Sequence, residues 1–187
     1  MVIKIRTWMA LVLVLVATGC KPSRQAQVAS QSEDLALQVR ILNYMDEPLG
    51  DVYVNGIWAG GMRSHAGGFG AAGSVGLPAK WHVGLTVDVE WQDDALYRKD
   101  RDASYKAQVS VEPYDVTNDH PSVLWLAFMA DNKIKAIASS YGPGHSKFPA
   151  DWKYPEDVCM ANAAYAVKFY PQRAPLAPTA VTHKECL

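Results

Sequence analysis

Long apolar runs are missing from this chain. Its longest, residues 8–17, has ten residues, about half of the ~20 that a membrane-crossing helix needs. Basic residues are not in excess either: 18 Lys and Arg stand against 19 Asp and Glu. That balance gives no basic stripe for nucleic acid and no basic amphipathic helix for a lipid surface. Cysteine is scarce, with Cys20, Cys159 and Cys186 the only three. The five histidines, His65, His82, His120, His145 and His183, share no i, i+4 helical face and no short ligand spacing. A zinc site is therefore not expected, and each histidine is read as a turn or surface residue. Serine lacks the Gly-x-Ser-x-Gly elbow, because Gly73-Ser-Val-Gly76 is one residue short of it. The paired acids Asp93-Asp94 lie among charged neighbours, where a carboxyl is not pushed toward general-acid service. The glycine-rich stretch 59–76 has no Gly-x-x-x-x-Gly-Lys-Ser/Thr pattern and opens no predicted helix, so it offers no phosphate cradle. These gaps argue against an enzyme and leave no cofactor to expect.

What is present starts at the N-terminus. Lys4 and Arg6 precede the apolar run, which ends at Ala17-Thr18-Gly19-Cys20. A short apolar stretch between a basic start and small residues suits a signal peptide over 1–19. The small residues before the cysteine resemble the lipobox of bacterial lipoproteins. The expectation is cleavage before Cys20 and acylation of that cysteine (palmitate among the chains), each buried CH₂ contributing ~0.8 kcal/mol of anchoring. Residues 20–34 are polar and poor in large apolar side chains, as a tether is. Lys21 stands where an Asp would retain a lipoprotein at the inner membrane, so the outer membrane of a Gram-negative cell, periplasmic face, is expected. Cleavage removes Lys4 and Arg6, so 16 basic residues face 19 acidic ones in the exported part. Its length suits one domain. Cys159 and Cys186 are then an even pair in an oxidising compartment, and a disulfide between them is expected; the alternative is two separate thiols, since spacing does not bring Cα atoms together.

The body is patterned for strands. Leu35, Leu37, Val39 and Ile41 alternate with polar residues, as do Leu85, Val87, Val89 and Trp91, and Tyr105, Ala107, Val109 and Val111. Val52-Tyr-Val54 and Ile57-Trp-Ala59 flank Asn55-Gly56, which predicts a hairpin on a type I′ turn. Residues 122–129 are apolar on both faces, as in a central strand, and Asp131-Asn132 predicts a second hairpin into 133–139. Residues 59–76 are expected to be a long surface loop, and 92–104, with seven charged side chains, a solvated connection. Pro155-Glu-Asp predicts a helix start, with Val158, Ala161, Tyr165 and Lys168 on one face and Pro171 ending it. The fold class is mainly β: an antiparallel sandwich-like domain over 35–150, with a short helix and extended tail over 151–187 packed on it. No internal repeat is visible.

The tryptophans of the exported part are Trp58, Trp81, Trp91, Trp125 and Trp152. Most are expected in the core, each burying ~200 Å². Trp58 and Trp152 sit beside predicted loops and are candidates for exposed anchors, the core being the commoner place. Binding hot spots favour Trp, Tyr and Arg, so Trp58, Met62, Arg63 and Phe69 form a candidate contact patch for a protein partner.

The chain reads in order Val54-Asn-Gly-Ile-Trp-Ala-Gly-Gly61, Gly67-Gly-Phe-Gly70, Val75-Gly-Leu-Pro-Ala-Lys-Trp-His-Val-Gly-Leu85, Val87-Asp-Val-Glu-Trp91, Val111-Glu-Pro-Tyr114 and Gly142-Pro-Gly-His-Ser-Lys-Phe-Pro149. Together these segments resemble the lipoprotein family called domain of unknown function 3304. The resemblance covers roughly 35–150. Where that family often has a cysteine before Leu-Pro, Ala71-Ala-Gly-Ser-Val75 has none. Members are similar to immunity proteins encoded beside type VI secretion lipase effectors. The resemblance implies a tethered protein-binding module that captures a lipase toxin in the periplasm, without catalysis. The other reading is a general envelope lipoprotein that binds envelope or secretion components.

Overall fold

The computed structural model describes residues 34–68, 73–117 and 119–173. The signal region, Cys20, the tether up to 33, Phe69 and Cys186 lie outside the described residues, and so do the acylation and the Cys159–Cys186 pairing expected of them. No helix among the described residues is long and apolar enough to cross a membrane.

Among the described residues, nine strands and three short helices follow in order: β1 (Asp34–Asn43), β2 (Leu49–Val54), β3 (Ile57–Met62), β4 (Ala66–Gly67), β5 (Ser74–Pro78), β6 (Thr86–Asp93), α1 (Asp94–Lys99), β7 (Tyr105–Ser110), β8 (Val123–Phe128), β9 (Ile134–Ser139), α2 (Pro155–Met160) and α3 (Ala163–Phe169). They build two sheets. In the first, β1, β8 and β9 lie side by side, and β4 and β5 both pair with the free edge of β1. The second has the order β3-β2-β6-β7. The mainly β, sandwich-like class expected from the alternation is what the chain forms.

The pairing is antiparallel except between β1 and β8, which run parallel, Val39 opposite Leu124 and Ile41 opposite Leu126. The sheet is therefore mixed where a wholly antiparallel one was expected. Parallel neighbours need a long crossover. Here the whole second sheet is inserted between them, and β7 brings the chain back to the end from which β1 started.

Alternation sets the core. Leu37, Val39 and Ile41 of β1 and Leu124, Leu126 and Phe128 of β8 meet Val52, Val54, Val87, Val89 and Val109 of the second sheet. The other face of β8 is also dry: Val123, Trp125 and Ala127 pack under Phe148 and Trp152. That places Trp152 in a core and not at the surface.

Three expectations are corrected. The stretch 59–76 is not one surface loop: β3 runs on to Met62, β4 takes Ala66–Gly67, and β5 begins at Ser74. Its glycines serve close approach between backbones. A Cβ on Gly61 would collide with the Gly50 carbonyl oxygen and stand 2.7 Å from that of Leu49. One on Gly67 would lie 2.7 Å from Leu42 Cδ2. The charged stretch 92–104 contains α1. Asp93 caps it by accepting from the Leu96 N–H at 2.7 Å, with Asp94 in the first turn and Arg98 and Lys99 in the last, as the helix dipole favours. The C-terminal helix is two helices. Asn162 accepts from the Ala164 N–H at 3.1 Å and starts α3 afresh, so Val158 and Ala161 do not share one helix face with Tyr165 and Lys168.

Gly61→Ala is expected to lower the unfolding free energy by about 2 kcal/mol, because the added methyl overpacks a backbone contact. Gly76→Ala, whose Cβ meets nothing nearer than Asp34 Cβ at 3.9 Å, is expected to leave it unchanged or slightly raised. Urea titrations of the two variants compare them directly.

Candidate functional site

The Asn55-Gly56 turn takes positive φ at both residues, 49° and 76°, as a type I′ hairpin requires. That two-residue turn fixes the register: Val54 opposes Ile57, and Tyr53 opposes Trp58. Val52 and Val54 point into the core, so Tyr53 points out. Trp58 shares its face, because directly opposed residues do. Trp58 is 50% exposed, Ile57 44% and Tyr53 36%. The indole is not loose, since its Nε1 donates to Asp51 Oδ1 at 2.8 Å.

The same outward row continues across the sheet. Glu90 opposes Tyr53 and Lys106 opposes Glu90. Lys106 pairs with Glu90 at 3.2 Å, and the Ser104 hydroxyl donates to the same carboxylate at 2.6 Å. Those contacts, Ser104 first, hold the Glu90 carboxyl below its usual range. One register step toward the turn, Asp88 accepts from the Gln108 amide at 3.4 Å, and its backbone N–H donates to Asn55 Oδ1 at 2.9 Å. The result is a solvent-facing sheet with a held indole opposite Tyr53 and an acidic surround. Such a surface can bind.

Of the contact residues expected from the sequence, the described ones, Trp58, Met62 and Arg63, do not lie side by side. Met62 is half-buried against the core between the sheets. Arg63 is exposed but lies five residues along from Trp58, which at ~3.3 Å per strand residue is about 17 Å away. Its carbonyl accepts from buried Asn43 Nδ2 at 3.1 Å. Phe69 lies outside the described residues. Tyr53 and Asp51 were missed, although the signal for Tyr53 was available. An Asn-Gly loop puts the residues one step outside its closing pair opposite each other, and Tyr53 alternates with two valines.

At the far end of β3 lies a second cluster. His65, expected in a turn or at the surface, does lie in a turn, with a φ of 48°, but is 1% exposed. Its ring sits 4.5 Å from the Phe169 ring and 5.3 Å from that of Tyr165, centroid to centroid. Nε2 meets Asp46 Oδ1 at 2.8 Å, and Lys168 Nζ donates to Asp46 Oδ2 at 2.9 Å. The Tyr170 hydroxyl donates to the His65 carbonyl at 2.6 Å. Burial came from a segment a hundred residues away, which no local pattern around His65 announces. Nδ1 is buried with no partner among the described residues, so the ring fits as the neutral Nε2–H tautomer. Burial lowers the His65 pKa; the Asp46 contact opposes this and does not outweigh it, and Lys168 adds to the lowering. Burial works to raise the Asp46 carboxyl, but hydrogen bonds from Lys168 and His65 win and hold it low.

A His–Asp pair is part of a hydrolytic triad, but geometry gives this one a different role. The Ser64 hydroxyl donates to the Asp46 carbonyl at 2.6 Å and not to the imidazole, and the ring is sealed from solvent. The cluster latches α3 onto the end of the sandwich. Among the described residues no three His, Cys, Asp or Glu side chains come together as a metal site would need.

The latch gives a pH dependence with a definite sign. Unfolded His65 gains its proton near pH ~6.5, while the folded state resists it, so unfolded molecules bind more protons below that pH. Stability should fall as pH drops from 6.5 toward the depressed folded value. Denaturant midpoints from pH 7.5 to 5 should show the decline, and His65→Asn, which tolerates the positive φ of 48° there, should flatten it.

No curated protein and no solved structure matches the chain. The family described as protein of unknown function, DUF3304, matches residues 42–136, a span that runs from the end of β1 into β9 and contains both the Trp58 face and the Asp46–His65 pair. That match takes in just over half of the 187 residues, and the chain belongs to this family.

Proposed function

We propose that this chain is a lipid-anchored protein-binding module facing the periplasm, and that it neutralises a lipase toxin delivered by type VI secretion by binding and blocking it. The anchor is acylated Cys20 at the outer membrane, and the action is by contact, not turnover. The observation that carries the reading is the Trp58–Tyr53 pair, a half-exposed indole held by a 2.8 Å hydrogen bond on a rigid hairpin. Large aromatic side chains already fixed in place lose little freedom on docking and are the residues on which interfaces concentrate energy. A sheet face of four strands is broad enough to contribute to the ~800 Å² per partner that a stable complex buries. Tethering adds to affinity by holding the binder at the surface the toxin must reach.

The test uses the full chain in detergent micelles and the product of the adjacent gene, which this reading expects to be a secreted lipase. A one-to-one complex on gel filtration and toxin sensitivity on deletion of the gene are expected. Trp58→Ala should weaken binding by about 2 kcal/mol or more, roughly thirtyfold, with an unchanged unfolding midpoint because the indole is not core. Arg63→Ala, at the other end of β3, should weaken it less. Absence of any complex, with an envelope defect on deletion when no toxin is present, would favour the general envelope reading instead.

A further inference from the structure

We propose that the partner docks on the Trp58 face with a cationic surface, setting an arginine beside Trp58 on the Asp51 carboxylate and a second cation on Asp88, which the strand register places about 13 Å further toward the Asn55-Gly56 turn. This rests on the binding role proposed above and adds the chemistry of the partner. On this face one carboxylate is neutralised within the chain, Glu90 by Lys106 at 3.2 Å. Asp51 and Asp88 have no cation within ion-pair reach among the described residues. Their side-chain partners are neutral donors, the Trp58 indole at 2.8 Å and the Gln108 amide at 3.4 Å.

Covering Trp58 therefore cannot leave Asp51 in water. The two are hydrogen-bonded, and a partner that buries the ring strips solvent from the carboxylate beside it. A carboxylate dried without a cation is strongly unfavourable, so a complementary partner must supply one. Arginine suits the place better than lysine, because its planar fork spans carboxylate oxygens and stacks on an indole or phenol face. An enzyme that works on anionic lipid presents such a cationic face to the membrane. Capture through it would cover the surface the toxin needs for its substrate.

Titration calorimetry of the full chain in detergent with the adjacent gene's product, the lipase expected above, tests this at 50 and 500 mM NaCl. Affinity is expected to fall at least tenfold at the higher salt. Asp51→Asn with Asp88→Asn, which keeps an acceptor for the indole, should weaken binding at least tenfold at low salt and remove most of the salt dependence. Vesicles of phosphatidylglycerol should compete for the lipase, and vesicles of phosphatidylcholine should not. If the complex forms but the double variant binds as tightly as the parent chain, or salt has no effect, the cationic-face inference is overturned while the immunity reading stands. If no complex forms, both fall. Self-association through this face, or Trp58-dependent binding of solubilised peptidoglycan fragments without the lipase, also overturns it.

Discussion

The architecture follows from the requirement that β8 be dry on both faces. All six of its residues, Val123 to Phe128, are buried. An all-apolar strand cannot sit in a sheet with one face in water. The first sheet must therefore be covered twice, by the second sheet on its inner side and by the segment carrying Phe148, Trp152 and the two C-terminal helices on its outer side. The second sheet has no comparable strand. Its members alternate, with Val87 and Val89 inward and Asp88 outward. Its outer face is therefore free to carry side chains selected for something other than folding.

That asymmetry gives the Trp58 face its meaning. An isolated exposed apolar residue needs no explanation. Here three large side chains, Tyr53, Ile57 and Trp58, are exposed around one hairpin, and the indole is oriented by a carboxylate that gains no ion pair from the arrangement. A bond from Asp51 to Trp58 adds little to folding stability at an exposed site. It does remove rotational freedom that a docking partner would otherwise have to remove. The interaction makes better sense as preorganisation than as a contribution to the fold.

The legible parts of the sequence were those where one residue's surroundings are set by its immediate neighbours. Period-two alternation located β1, β6 and β7, and Asn55-Gly56 located a turn whose register, once drawn, puts Trp58 beside Tyr53. What was not legible depended on distant contacts. Glycines 61 and 67 look like loop formers until the backbones they admit are seen, Leu49 and Gly50 for one and Ile41 and Leu42 for the other. The run of charges after β6 looked like solvated coil. Its order, acid first and base last behind an Asp cap, is that of a one-and-a-half-turn helix, but six residues are too few for a periodic signal. His65 is buried by rings from Tyr165 and Phe169, and Trp152 by a strand face whose outer cover had no sequence signature.

The two clusters sit at opposite ends of β3 and differ in what completes them. The Trp58 face is assembled wholly from β2, β3, β6 and β7, all within residues 42–136 that match the family. The His65 latch needs Tyr165, Lys168 and Phe169, which lie beyond that span. The frame that defines the family is thus sufficient to build the Trp58 face, while the C-terminal helices act on the far end and on the outer side of the other sheet. Loosening α3 by protonating His65 would open that far end without touching the register of the Asn55-Gly56 hairpin. The His65 latch and the Trp58 face are thus built from different parts of the molecule, and a change in one can be read without disturbing the other.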